Sequence, residues 1–157
     1  MPATDTVHAR LAELGIILPQ VAPPAANYIP WVISGHQIFI SGQLPFLNGV
    51  KAHIGRLGDT IGVEDGKKAA YDCALNIVAQ VNAALDGRLG QVTRCVRLGG
   101  FVNATADFTD HPAVVNGASD LIASIFGDAG RHTRFAVGVA SLPFGVAVEI
   151  DAVFEYA

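Results

Sequence analysis

Charged side chains are scarce in this sequence: lysine, arginine, aspartate and glutamate make up 15% of its 157 residues, whereas apolar residues make up 51%. This composition excludes an intrinsically disordered chain, which would be poor in apolar residues. The net charge of −4 has the wrong sign for binding phosphates, so no nucleic-acid partner is predicted. As a monomer, a small protein this apolar would expose large apolar patches to water, and we expect some of that surface to be buried between subunits.

Cysteine occurs only twice, at Cys73 and Cys95, which excludes a disulfide scaffold and a cysteine-based zinc site. Both lie in apolar segments, where we interpret them as buried core residues. The five histidines show no His-x-x-x-His spacing, so no metal site is predicted, and they are interpreted as surface or capping residues. Glycine-rich phosphate-binding motifs and Gly-x-Ser-x-Gly are absent, so the sequence predicts neither a nucleotide-binding site nor a serine nucleophile.

A long uncharged stretch, residues 15–50, is the one segment whose length would permit a membrane span. Its five prolines exclude a continuous helix, because each interior proline removes a hydrogen bond and clashes with the preceding turn. No membrane partner is therefore predicted. The first ten residues lack the basic-then-apolar layout of a signal peptide, and we expect a cytoplasmic location.

The chain length predicts one domain, over residues 1–157, and the order of the predicted helices and strands places it in the α+β class. The predicted elements are a short helix at 6–14, strands at 31–33 and 37–40 joined by a tight turn, a long helix at 63–85, a strand at 92–102, a helix starting at 108–112 and ending at 126, and strands at 134–142 and 146–154. The last two strands flank Pro-Phe-Gly and are predicted to form a hairpin. We expect a mixed sheet with both long helices on one face and a neighbouring copy of the chain covering the other.

The two C-terminal strands carry the residues best suited to chemistry. Arg134 opens an apolar strand, where its planar guanidinium could hold a carboxylate through two parallel hydrogen bonds. Glu149 lies between Val148 and Ile150, where partial burial would raise its proton affinity and suit it to activate water. The alternative is that Arg134 and Glu149 form only a cross-strand ion pair. Spacing does not decide between these two interpretations.

The same segment resembles a known family. Arg134, a valine-rich strand, Leu142-Pro143 and the run Val-Glu-Ile-Asp-Ala at 148–152 resemble the C-terminal signature of the YjgF/RidA family of enamine/imine deaminases, also called endoribonuclease L-PSP. Tyr28 and the run Ile-Phe-Ile-Ser-Gly-Gln-Leu-Pro at 38–45 resemble the family's tyrosine and its Ser-Gly-Gln-Ile-Pro strand end. Asparagines also fall at family positions, at Asn76 and Asn116. The resemblance covers residues 25–154 and leaves residues 1–24 as an N-terminal extension.

The resemblance implies a chorismate-mutase-like fold and a homotrimer with active sites in clefts between subunits. It implies hydrolysis of reactive 2-imino acids to 2-keto acids and ammonia without a metal or organic cofactor. Carried over by position, Arg134 would clamp the substrate carboxylate and Glu149 would position the attacking water. The implied pocket is lined by Tyr28, Gly42, Asn116, Phe135 and Ala136, of which Phe135 and Ala136 depart from the serine or threonine and the cysteine usual in the family.

Two other functions remain open at this stage. A regulatory trimer could bind a small carboxylate through Arg134 without turnover, with Glu149 in a structural role. RNA cleavage is attributed to some members of the family, but the acidic composition and the lack of a basic, aromatic patch argue against it.

Overall fold

Three helices and five strands make up the regular structure in the residues that the computed structural model describes, 3–21 and 27–157. The helices are α1 (Ala3–Glu13), α2 (Val63–Ala84) and α3 (His111–Phe126), and the strands are β1 (Trp31–Ser34), β2 (Gln37–Gln43), β3 (Val92–Asn103), β4 (Thr133–Val139) and β5 (Val148–Tyr156). Their order confirms the predicted α+β class and a fold with two long helices. Part of the predicted extension, residues 1, 2 and 22–24, lies outside the described residues.

The five strands form one mixed sheet in the order β1-β2-β5-β3-β4. All neighbours are antiparallel except β3 and β4, which run parallel. The β1–β2 hairpin is therefore confirmed, whereas the predicted hairpin between the last two strands is wrong. The chain leaves β4, crosses over in a 3-10 turn at Pro143–Gly145 and enters the sheet again on the far side of β3. Arg134 lies in β4 and Glu149 in β5. Because β3 lies between these two strands, Arg134 and Glu149 are not on neighbouring strands.

Helices α2 and α3 cover one face of the sheet, as predicted. α2 forms because apolar residues recur at helical spacing along it, and the acidic Glu64 and Asp65 occupy its first turn, where they complement the helix dipole. Its apolar stripe, including Cys73, Ile77 and Val81, is fully buried. In α3, Pro112 lies in the first turn and Gly127 follows the last, both common at these positions.

The opposite face of the sheet carries large apolar side chains that no element of the described chain covers. Side chains alternate between the faces of a strand, so Phe39 on β2 and Val137 on β4 both point away from the helices. Phe39 and Val137 are 44% and 43% exposed. We call this surface the open face. None of the described helices is long and apolar enough to cross a membrane.

Candidate functional site

Arg134 lies at the start of the edge strand β4 and points to the helix-covered side of the sheet. Its register partner on β3 is Leu98, which is fully buried under the helices. The guanidinium reaches along α3: Nη1 donates to Asn116 Oδ1 at 2.7 Å and to Ser119 Oγ at 3.2 Å, and Nη2 is 3.5 Å from the Pro112 carbonyl oxygen. The structure thus brings together two of the residues named from the sequence, Arg134 and Asn116.

The three acceptors occupy one side of α3 because they are spaced four and three residues apart, which is about one helical turn each. They use both hydrogens of Nη1 and one of Nη2. The Nε hydrogen has no hydrogen-bond acceptor among the described residues. The edge formed by Nε and Nη2 remains, and its geometry matches the two oxygens of a carboxylate. We call the set Arg134, Asn116 and Ser119 the clamp.

Ser119 and His132 are the members of this region that the sequence analysis missed. His132 Nε2 is 2.8 Å from Ser119 Oγ, and its Nδ1 is 2.6 Å from the Gly130 carbonyl oxygen. This histidine was expected only at the surface or in a cap. One signal could have found the serine: Asn116 and Ser119 are three residues apart in a segment predicted to be helical, so they share a side of it.

Glu149 lies in β5 on the open face, opposite Phe101 of β3. It is half-buried, and burial raises the pKa of its carboxyl above the usual value, with a smaller contribution from the negative charge of Asp151. The sequence predicted this direction from the apolar neighbours of Glu149. A carboxylate that binds its proton more tightly is a stronger general base toward water.

Gly42 lies beside Glu149, and the segment that carries Tyr28 is joined to the neighbouring residue, Ser41. A Cβ atom built on Gly42 would come within 3.1 Å of Glu149 Cδ, so the absence of a side chain gives the glutamate its space. Ser41, next to Gly42, donates its hydroxyl to the Ile29 carbonyl oxygen at 2.8 Å, which brings the chain just after Tyr28 to this edge of β2. The Tyr28 side chain itself is 63% exposed.

Phe135 and Ala136 separate onto opposite faces because they are neighbours in a strand. Phe135 is on the open face, where its ring stacks edge-on against Phe101 at 5.2 Å and lies 5.8 Å from the Arg97 guanidinium carbon. Ala136 is on the helix-covered side, opposite Gly100, and packs against the core. Within one chain, Ala136 therefore lies on the face of the clamp, and Phe135 does not.

The clamp and Glu149 do not face each other within one chain. They occupy opposite faces of the sheet and strands separated by β3. Two strand spacings of about 4.8 Å and a stagger of three residues at about 3.3 Å each place their backbones about 14 Å apart. The alternative of a cross-strand ion pair between Arg134 and Glu149 is therefore wrong. The ion pair on this sheet is instead Arg97 with Asp151, at 3.0 Å across β3 and β5.

A cavity of about 620 Å³ lies elsewhere, on the outer side of α2 and α3. Its lining includes Tyr71, Asp120 and the hydrogen-bonded pair His53 and Asp72, and none of the predicted site residues. Across the described ranges, no cluster of three or more histidine, cysteine, aspartate or glutamate side chains has the arrangement of a metal site.

A mixed five-stranded sheet under two helices, with a guanidinium clamp on its edge strand, defines an α+β domain of the chorismate-mutase-like class. A sequence profile of the family described as "YjgF/chorismate mutase-like, putative endoribonuclease" matches residues 8–153. The chain therefore belongs to this family, which confirms the resemblance drawn from its sequence.

Similar proteins support the assignment. Protein TCP17 of Trypanosoma cruzi is 51% identical over 154 residues, which cover 98% of this chain and 96% of that protein. Atu1372 of Agrobacterium tumefaciens, a solved structure described as having unknown function, is 46% identical with a TM-score of 0.91, covering 99% of this chain and 96% of that one. A "putative endoribonuclease" from Shewanella oneidensis is 36% identical with a TM-score of 0.90, covering 95% and 98%. Escherichia coli TdcF, solved with bound serine, shares the fold at 23% identity, a TM-score of 0.59 and coverage of 88% and 93%.

Proposed function

We propose that this protein hydrolyses 2-imino acids to 2-keto acids and ammonia, in a site that combines the clamp of one copy with Glu149 of a neighbouring copy in a homotrimer. The observation that carries the proposal is the guanidinium of Arg134: Asn116 and Ser119 occupy Nη1, and the Nε side remains for a carboxylate. A protein of the same fold, TdcF, holds serine, which also carries a carboxylate.

A site shared between copies follows from the positions of the two groups. A small substrate cannot touch Arg134 and Glu149 of the same chain through the sheet that separates them. The open face exposes Phe39 and Val137, on strands either side of the one that carries Glu149, and needs a cover, which a second copy would supply. A neighbour seated there could bring the edge of its β4 strand, and with it the clamp, toward Glu149.

The chemistry needs little more than these groups. The carboxylate of the imino acid would bind the Nε and Nη2 side of Arg134, which fixes the position of the electrophilic carbon. With the imine nitrogen protonated, Glu149 would take a proton from water as the oxygen attacks that carbon, giving a neutral carbinolamine. The carboxyl would then give this proton to the nitrogen as the C–N bond breaks and ammonia leaves. It would take the hydroxyl proton as the C=O bond forms, and would pass that proton to the departing ammonia, which leaves as ammonium. One water is consumed for each imine, and the raised pKa of Glu149 suits these transfers.

Mixing two inactive variants tests the shared site. We expect Arg134→Ala and Glu149→Gln each to abolish the acceleration of keto-acid release from freshly generated 2-iminopropanoate. When the two chains are assembled into mixed trimers, each trimer contains a site with Arg134 from one chain and Glu149 from another, and activity should return. With both groups drawn from a single chain, no mixture would recover activity. If Arg134→Ala releases keto acid as fast as the wild type, the deaminase proposal fails altogether.

Binding without turnover is the second candidate. The separation of the clamp from Glu149 within one chain favours it, because the hydrogen bonds within the clamp hold Arg134 in place without any contact to Glu149. A thermal-shift series with 2-keto acids distinguishes the two functions: strong stabilisation that depends on Arg134, with no hydrolysis of 2-iminopropanoate, supports a carboxylate-binding regulatory trimer.

A further inference from the structure

Ser119 and His132 form a hydrogen-bonded chain whose direction is fixed at both ends. The Gly130 carbonyl oxygen can only accept, so His132 Nδ1, at 2.6 Å, carries the proton. In the neutral ring, Nε2 then accepts the hydroxyl proton of Ser119 at 2.8 Å. The Ser119 oxygen in turn accepts from Arg134 Nη1 at 3.2 Å, because a guanidinium can only donate.

The hydrogen-bonded chain restricts the orientation of the Arg134 guanidinium. Nη1 has two hydrogens, and Asn116 and Ser119 take both. The guanidinium is planar, so fixing Nη1 at two points also fixes the plane and the direction of the Nε side. Without the serine, one acceptor on Nη1 would remain and rotation about the last bonds of the side chain would be freer.

The link also joins separate parts of the chain. Ser119 lies within α3, whereas His132 lies in the short connection between the Gly127–Gly130 turn and β4, two residues before Arg134. The imidazole therefore ties the start of the edge strand to the helix at the point where the arginine leaves the backbone.

We propose that Ser119 and His132 are positioning residues that hold Arg134 so that only its Nε side meets the substrate carboxylate. This assignment rests on the proposed function, since it concerns the same clamp. It adds two residues to the site and specifies a side-on mode of carboxylate binding.

Substitutions at the two positions test the assignment, with pyruvate as the ligand probe and 2-iminopropanoate as the substrate. Ser119→Ala removes the hydroxyl, and Ser119→Thr keeps it. His132→Asn retains a donor for the Gly130 carbonyl but cannot reach Ser119. Ser124→Ala is the control, because Ser124 lies on the same helix and its hydroxyl bonds only to the Asp120 carbonyl at 2.8 Å.

Loss of one hydrogen bond to a charged group corresponds to about tenfold in affinity. We therefore expect Ser119→Ala and His132→Asn to weaken pyruvate binding and to raise KM by about tenfold, with kcat changed by less than about threefold. Ser119→Thr and Ser124→Ala should bind within about threefold of the wild type. Melting temperatures of all variants separate a loss of binding from a loss of folding.

The failure of this assignment is distinguishable from the failure of the proposed function. If Arg134→Ala loses pyruvate while Ser119→Ala and His132→Asn bind it like the wild type, the positioning roles are wrong and the clamp stands. If the wild type neither binds pyruvate nor hydrolyses the imine, the function is wrong. Nitrogen-15 spectra then decide the hydrogen-bonded chain by itself: a proton on His132 Nδ1 and separate, slowly exchanging Nη signals of Arg134 support it, and a proton on Nε2 alone overturns it.

Discussion

The carboxyl of Glu149 couples the stability of the protein to pH. Burial, with help from Asp151, raises its pKa in the folded state, so the folded chain binds this proton more tightly than the unfolded chain. Stability from this group is complete below the ordinary carboxyl pKa of about 4.3 and is lost as the pH rises through the raised value.

We expect Glu149→Gln to melt at a higher temperature than the wild type at pH 7–8, because the neutral amide avoids the cost of a half-buried charge. The two melting temperatures should converge as the pH falls below about 4. Thermal unfolding followed by circular dichroism from pH 4 to 8 measures the difference. Glu155→Gln, an exposed position on the same strand, controls for loss of a carboxylate from β5. A gap between Glu149→Gln and wild type that is the same at every pH would contradict the burial argument.

At the scale of elements, the contact between α2 and α3 depends on one glycine. A Cβ atom on Gly117 would clash with the carbonyl oxygen of Lys67, which is backbone and cannot swing away. The two helices therefore approach each other more closely than any residue with a side chain at this position permits.

Gly117→Ala should destabilise the protein by about 1–3 kcal/mol, since overpacking against backbone outweighs the gain of about 1 kcal/mol in helix propensity. Urea unfolding measures the free energy of unfolding. Gly62→Ala, at the N-cap of α2 with open space around it, is the matched control and should cost clearly less. Because α3 also carries the clamp, Gly117→Ala should weaken pyruvate binding as well. Equal stability of the two variants would show that the helices can move apart freely.

The elements themselves were largely predictable, and their pairing was not. The apolar stripe of α2 is visible in the spacing of residues close together in the sequence. The predicted span of this helix, 63–85, therefore differs from the observed helix by one residue. The false hairpin between β4 and β5 came from reading Pro143-Phe144-Gly145 as a strand-to-strand turn. The pairing of the strands depends on contacts between residues far apart in the sequence, and the hydrophobic periodicity of a segment does not predict such contacts.

The site shows the same division. Arg134, Glu149 and Asn116 were named because a sequence pattern carries them, and the structure puts Arg134 on Asn116. Their arrangement on two faces followed only from the strand order. His132 was missed because its partner, Ser119, is 13 residues away and the bond exists only once α3 packs beside β4.

At the scale of the whole molecule, the open face argues for assembly. Its apolar side chains include Phe39 and Val137, with Phe101 and Phe135 stacked beside them. Covering such a surface with a second copy removes it from water, at about 25 cal/mol for each Å² buried. The proposed trimer accounts for the low charge of the sequence.

Sedimentation equilibrium should therefore give a mass three times the chain's 16.4 kDa. Phe39→Glu, which places a charge in the centre of the proposed interface, should shift the protein toward smaller species and lose hydrolysis with it. Tyr71→Glu is the control, because Tyr71 is comparably exposed, at 38%, but lies on the helical side. A wild-type chain that sediments as a single copy would contradict both the trimer and the shared site.

The position of β5 has a consequence for biosynthesis. It is the latest of the five strands in the chain, yet it lies in the middle of the sheet, between β2 and β3. Without residues 148–156, the remaining strands can form only two separate pairs, β1 with β2 and β3 with β4, which share no backbone hydrogen bonds with each other. The edges of β2 and β3 that β5 covers in the folded chain are then unpaired, so we expect a nascent or truncated chain that lacks β5 to be prone to aggregation.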